Sequence, residues 1–266
     1  MKLRYAIAAL GLGTFAMSAG ATTVSGSSLQ DGLDDLTQGG SFYDVNTGQY
    51  SPDEKWEITA TGASASRLIF EIADWEGDAS FGIYDVNNAS NKLEIFGEDW
   101  DTWLGTVGGS CGTADTTCSP KMNLSFLQND SVGEFSVLKQ WYLGGIWYSE
   151  SATFSSDTFG YYLDSGDGTL YSERDKNGGD DQMVTYRGDG VTEMDIFGGN
   201  DYDTFSENEF ILAWEDMKTS NPNYDGDFSD FVVMVESVVP VPEPGTLALL
   251  GLGLAGLGAA RRRQRA

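Results

Sequence analysis

The chain is 266 residues long and sets 15 Lys and Arg against 41 Asp and Glu, a formal net charge of −26 with no histidine. So acidic a surface repels phosphate backbones and anionic lipid, and the lack of histidine removes His-dependent triads and His-ligated metal sites. Apolar residues make up 40% and aromatic residues 12%, enough material for a packed core, so disorder is excluded as well.

The N-terminus reads as an export signal. Lys2 and Arg4 give a basic start, Ala6 to Met17 an apolar stretch too short to span a bilayer, and Ala19-Gly20-Ala21 a small-residue cleavage site. A signal helix is expected over residues 1–21, with the mature chain beginning near Thr22. Six of the 15 basic residues lie in the two termini. If C-terminal processing follows Glu243, the mature part keeps nine against 41 acids, a net charge of −32. Such a chain is soluble, attracts divalent cations and polycationic matrix, and repels itself unless cations bind.

From Phe42 onward, short alternating runs predict strands: Trp56 to Thr59, Arg67 to Ile72, Phe81 to Val86, Leu93 to Phe96, Phe135 to Leu138 and Trp141 to Tyr148. Further runs cover Phe159 to Leu163, Met183 to Tyr186, Phe210 to Trp214 and Phe231 to Val235. Gly, Asn, Asp and Ser fill the gaps, and no helical period lasts three turns outside the removable ends. The pattern predicts an all-β secreted region over 22–240, an antiparallel β-sandwich or jelly roll. Phe210–Trp214 and Phe231–Val235 are apolar on both strand faces and are expected to be central strands. Residues 22–40 and 172–208 read as looser, and a boundary is expected near 105–120.

That boundary region, GGSCGTADTTCSP, holds the two cysteines, Cys111 and Cys118. In an exported chain an even pair predicts a disulfide, and closing this small ring is worth about 2–3 kcal/mol. Just beyond it, Trp141, Tyr142, Trp147 and Tyr148 fall in one strand-like run. Aromatic rings there would stack on sugar faces or fill a core.

Acidic turns recur at Asp164–Gly168, Asp175–Asp181 and Asp201–Asp203, each read first as a solvated turn. Arg187-Gly188-Asp189 is a chance tripeptide, and Gly251–Gly256 spells a dinucleotide fingerprint without the strand that would make it one. The strongest constellation is ILAWEDMKTSNPNYDGDFSDFVVMVESV, Ile211 to Val238. Glu215 and Asp216 follow one strand; Asp225, Asp227 and Asp230 precede the next. Alternate carboxylates there present hard oxygens to one point, which suits Ca²⁺, although the order is not that of an EF-hand.

This ending, FILAWEDM…DGDFSDFVVMVES, resembles the C-terminal signature of the DUF4114 family, an extracellular β domain of bacterial surface proteins. SFGIYDVNN (Ser80 to Asn88), TFGYYLDSG (Thr158 to Gly166) and GGDDQMVTY (Gly178 to Tyr186) extend the resemblance over about residues 78–238. It implies a calcium-binding acidic loop at Glu215, Asp216, Asp225, Asp227 and Asp230, and a binding or structural role without a reaction.

The last 26 residues have three parts: Pro242-Glu243-Pro244, an apolar stretch from Thr246 to Ala260, and a basic end at Arg261, Arg262, Arg263 and Arg265. Pro on both sides of Glu243 keeps the triplet extended and open to a processing enzyme. The apolar stretch, about 22 Å as a helix, is a short transmembrane helix, and the arginines hold its end in the cytoplasm. The order resembles the PEP-CTERM sorting tail of Gram-negative bacteria, which an exosortase recognises and cleaves near the triplet. This resemblance implies transient residence in the inner membrane, then release to the cell surface or extracellular matrix. The expected function is therefore a non-enzymatic exported surface protein stabilised by calcium. The alternatives are a carbohydrate-binding module for exopolysaccharide and, third, a glycoside hydrolase built on two carboxylates.

Overall fold

Period-two alternation of apolar residues sorts the chain into strands, most with one face on a core and a few with a core on each face. The computed structural model describes residues 21–58, 64–71, 79–97, 122–128, 133–143, 146–195 and 201–242. The signal helix, Cys111 and Cys118, and the sorting tail beyond Pro242 lie outside these residues. Among the described residues no helix is long and apolar enough to cross a membrane.

In chain order the elements are α1 (Ser28–Leu36), β1 (Trp56–Ile58), β2 (Ser64–Glu71), β3 (Ser80–Asp85), β4 (Asn88–Phe96), β5 (Met122–Gln128), β6 (Phe135–Leu143) and β7 (Ile146–Phe154). There follow β8 (Phe159–Ser165), β9 (Gly168–Tyr171), β10 (Met183–Arg187), β11 (Glu193–Met194), β12 (Asp203–Thr204), β13 (Glu209–Trp214), β14 (Phe231–Glu236) and β15 (Val238–Pro240). One sheet runs β15-β1-β8-β3-β4 with β9 paired to β8; the other runs β10-β13-β14-β2-β5-β6-β7. The pairings within both sheets are antiparallel, as the sequence predicts.

The two sheets face each other across the main core. Phe81, Phe159, Tyr161 and Leu163 of one meet Phe210, Leu212, Trp214, Phe231 and Val233 of the other. Rings interlock across the gap: Phe81 stacks on Phe231 at 5.6 Å and Trp56 meets Phe210 edge-on at 5.1 Å. Each fully buried side chain of this kind contributes about 1.5–3 kcal/mol. Close approach also shapes the first sheet. A Cβ on Gly160 would meet the Tyr84 ring at 2.3 Å, so glycine is required where Tyr84 lies across its partner strand.

A second core lies on the far face of β10, β13 and β14. There Val184, Tyr186, Ile211, Ala213 and Val232 pack against Leu29 and Leu33 of α1 and against Val24, Phe42 and Phe228. This explains why β13 and β14 are apolar on both faces: they are central strands with a core on each side. The nine-residue α1 stands within a segment expected to be loose. Leu29 and Leu33, one turn apart, are fully buried on the sheet, and the Thr37 hydroxyl donates to the Leu33 carbonyl at 2.8 Å. Tertiary burial stabilises a helix too short for its own periodicity to announce.

The run Trp141–Tyr148 is not one strand. It straddles the β6–β7 hairpin, with Trp141 in register with Tyr148 and Tyr142 with Trp147. At the C-terminal end, β15 pairs with β1, and the Val241 amide still donates to the Lys55 carbonyl at 2.7 Å. Pro242, the first residue of the triplet, is exposed immediately beyond.

Candidate metal centre between the last central strands

β13 ends with Trp214 in the main core, so alternation turns Glu215 to the opposite face, beside the second core. The Glu215 amide donates to the Gln182 carbonyl at 3.1 Å, extending the β10–β13 ladder by one rung. The chain then loops out and returns through Gly226 (φ +70°) and Phe228 (φ +56°). Positive φ is strained for phenylalanine; the fully buried Phe228 ring anchors it there. With Phe228 fixed, Asp227 and Asp230 fall beside Glu215.

One carboxylate oxygen from each of Glu215, Asp227 and Asp230 lies within 4.8 Å of the other two. Two oxygens bound to one Ca²⁺ at about 2.3–2.6 Å are at most about 5 Å apart, so a single ion spans the trio. Glu215 is buried, and its Oε2 finds no hydrogen-bond partner among the described residues, although the Met217 amide hydrogen-bonds the carboxylate. Asp230 Oδ2 accepts from the Asp216 amide at 2.8 Å, and Asp227 Oδ1 accepts from both the amide and the hydroxyl of Ser229 at 2.8 Å. These bonds orient the carboxylates without supplying positive charge.

The electrostatics register that lack. Burial, then the charges of Asp230 and Asp225, push the Glu215 carboxyl up to about 8. Burial, then Asp216 and Asp227, push Asp230 to about 8 as well, against the pull of the Asp216 amide. Both carboxyls are displaced in the same direction, by burial and by each other's acidic neighbours. A hard dication fits the oxygen donor set, with backbone carbonyls or water completing its shell.

Of the five acids expected here, the structure gathers three. Asp216 is buried but leaves β13 on the side opposite Glu215, and its amide serves the site instead of its carboxylate. Asp225 is exposed at the rim and receives the Asp227 amide at 3.3 Å; it acts on the trio through its charge. Gln182, which the sequence singles out for no role, lies across the ladder from Glu215. It is buried, and neither amide atom has a partner among the described residues. A polar residue just before an apolar strand was its only signal.

Two of the other acidic turns, Asp164–Gly168 and Asp175–Asp181, are held by protein groups. Lys92 donates to Asp164 at 3.1 and 3.2 Å, Asp167 accepts the Lys218 amide at 2.9 Å, and Arg174 pairs with Asp181 at 2.5 Å. At the β6–β7 hairpin, Trp147 and Tyr148 are 57% and 41% exposed. Consecutive strand residues point to opposite faces, so the two rings do not share one platform. On the Trp147 face of β7, exposed Ser149, Ser151 and Thr153 continue the row. Trp141 and Tyr142 are placed by backbone register alone.

Residues 240–263 match the family model described as the PEP-CTERM protein-sorting motif. The match takes in Pro242, Glu243 and Pro244 and the arginines as far as Arg263. It marks the chain as a substrate of exosortase sorting, exported and delivered to the cell surface or exterior. No curated protein and no solved structure matches the chain. The resemblance of residues 78–238 to the DUF4114 family has no support in these comparisons.

Proposed function

We propose that this protein is a non-enzymatic component of the cell surface or extracellular matrix whose β-sandwich is stabilised by Ca²⁺ at Glu215, Asp227 and Asp230. The observation that carries the calcium reading is the buried Glu215 Oε2, without a partner at the meeting point of three carboxylate oxygens. An ion there would tie the end of β13 to the start of β14, two of the strands shared by both cores. Chemistry needs no part in this reading; the ion neutralises a cluster that otherwise repels itself.

Melting the processed protein in calcium and in EDTA, at equal ionic strength, tests it. Binding to the native state alone contributes about 2.7 kcal/mol at a hundred-fold excess over Kd. Calcium is expected to raise Tm well beyond sodium, and Asp227→Ala to abolish most of the rise. Equal responses of variant and wild type would place the ion elsewhere or reduce the effect to screening.

A second reading is favoured by the exposed Trp147 with its row of hydroxyls along β7. An aromatic face flanked by Ser149, Ser151 and Thr153 suits stacking and hydrogen bonding to a polysaccharide chain. The exopolysaccharide matrix would then be the partner as well as the destination.

A further inference from the structure

A row of three residues crosses the ends of β10, β13 and β14. The ladder pairs Met183 with Trp214 and Trp214 with Phe231, and all three side chains lie in the main core. One position farther out, alternation turns Gln182, Glu215 and Asp230 to the opposite face. That face carries Val184, Ala213 and Val232 in the second core. The Glu215 amide, donating to the Gln182 carbonyl at 3.1 Å, fixes the register between β10 and β13. On the other side the Asp216 amide donates to Asp230 Oδ2 at 2.8 Å and ties the two strand ends. Gln182 therefore stands directly beside Glu215, on the face where two of the three converging carboxylates lie.

Its side chain has no task in the sheet. Gln182 is 1% exposed, and neither Oε1 nor Nε2 has a hydrogen-bond partner. The rung to Glu215 uses only the main chain of Gln182. Burying a primary amide without partners is unfavourable, and an apolar residue of similar size would avoid that cost.

We propose that Gln182 Oε1 is a fourth protein ligand of the ion and the one that selects Ca²⁺ over Mg²⁺, an inference that rests on the calcium reading of Glu215, Asp227 and Asp230. Residues opposed across a hydrogen-bonded rung have Cα atoms about 5.5 Å apart, and Gln and Glu side chains are equal in length. Two oxygens on one Ca²⁺ lie at most about 5 Å apart, so the amide oxygen and a Glu215 oxygen reach the same ion. The neutral donor adds an oxygen without adding charge to three carboxylates that already repel one another. Ca²⁺ takes about six to eight oxygens, side-chain amide carbonyls included, in a tolerant geometry. Mg²⁺ demands a near-ideal octahedron and keeps several of its waters, so a fourth protein oxygen fixed on a strand favours Ca²⁺.

The test titrates the processed protein with Ca²⁺ and with Mg²⁺ by calorimetry, and uses Eu³⁺ as a luminescent probe of the same site. Its lifetimes in light and heavy water count the waters on the ion. Gln182→Ala should weaken Ca²⁺ binding by about ten-fold or more, change Mg²⁺ binding little, and add a water to Eu³⁺. Gln182→Met keeps the volume without the oxygen and should show the same loss of Ca²⁺ affinity without a cavity. Gln182→Glu keeps an oxygen donor and should bind Ca²⁺ at least as tightly as wild type, which separates ligation from packing. Wild-type Ca²⁺ affinity in Gln182→Ala and Gln182→Met, with binding still abolished by Asp227→Ala, overturns the role of Gln182 and leaves the centre standing. Gln182→Glu as weak as Gln182→Met overturns it too, and an equal loss for Mg²⁺ overturns the selectivity. Calcium binding that is absent, or indifferent to Asp227→Ala, overturns both readings.

Discussion

Replacing Glu215 by Gln should make the calcium-free protein more stable, although it removes a buried side chain's charge and one ligand oxygen. The unfolded chain ionises Glu215 near 4.5, and the folded chain keeps its proton to about 8. Between those values the folded state holds a proton that the unfolded state has lost, so stability falls as pH rises through the window. Each pH unit costs about 1.4 kcal/mol, which sums to about 5 kcal/mol by pH 8. Asp230 moves in the same sense and titrates with Glu215 as a pair, so the figure belongs to the pair's first ionisation rather than to each group. Glutamine never ionises. In EDTA at pH 8, Glu215→Gln should exceed wild type by several kcal/mol, about 10–20 °C in Tm for a domain of this size. At pH 5 the two should nearly coincide. Saturating calcium should lift wild type more at pH 8 than at pH 5.5 and leave the variant almost unmoved. Calorimetric melts at both pH values with calcium and with EDTA supply all the comparisons. The overall negative charge also lowers stability at high pH, but it acts on both proteins. Parallel pH profiles in EDTA would therefore refute the account of Glu215.

Intact-mass analysis of protein from the native host should show the sequence beyond the Pro242–Pro244 region removed, including Arg261–Arg265; a complete C-terminus on surface-exposed protein would contradict exosortase cleavage. Trp147→Ala should leave the free energy of unfolding within about 0.5 kcal/mol of wild type, as for an exposed residue. If polysaccharide is the partner, the same variant should lose most binding in affinity electrophoresis against the host's exopolysaccharide, and unchanged mobility would remove the second reading.

The elements most visible in the sequence were those whose burial leaves a periodic mark. Phe210–Trp214 and Phe231–Val235 read as doubly buried because each of their faces meets a separate core. The hairpin between β6 and β7 was signalled by Gly144-Gly145 but lost under a continuous aromatic run. Strand β5 (Met122–Gln128) passed unnoticed beside the Cys-rich stretch, where Ser and Asn interrupt its alternation. The carboxylate cluster is legible in the sequence as a loop, but which of its acids meet is not. Alternation at the end of β13 decides that Glu215 enters and Asp216 does not, and register is a property of the pairing partner. The hydrogen bond from the Thr22 hydroxyl to Asp181 spans 159 residues and has no local sequence signature.

The C-terminal strand sets a clearance problem for the processing enzyme. β15 is zipped to β1, the ladder persists to Val241, and Glu243 follows two residues later. Two extended residues reach only about 7 Å. An enzyme that cuts at the triplet therefore works within two residues of a sheet edge. β15 is a three-residue edge strand, so releasing it from β1 would lengthen that reach at the cost of only a few backbone hydrogen bonds.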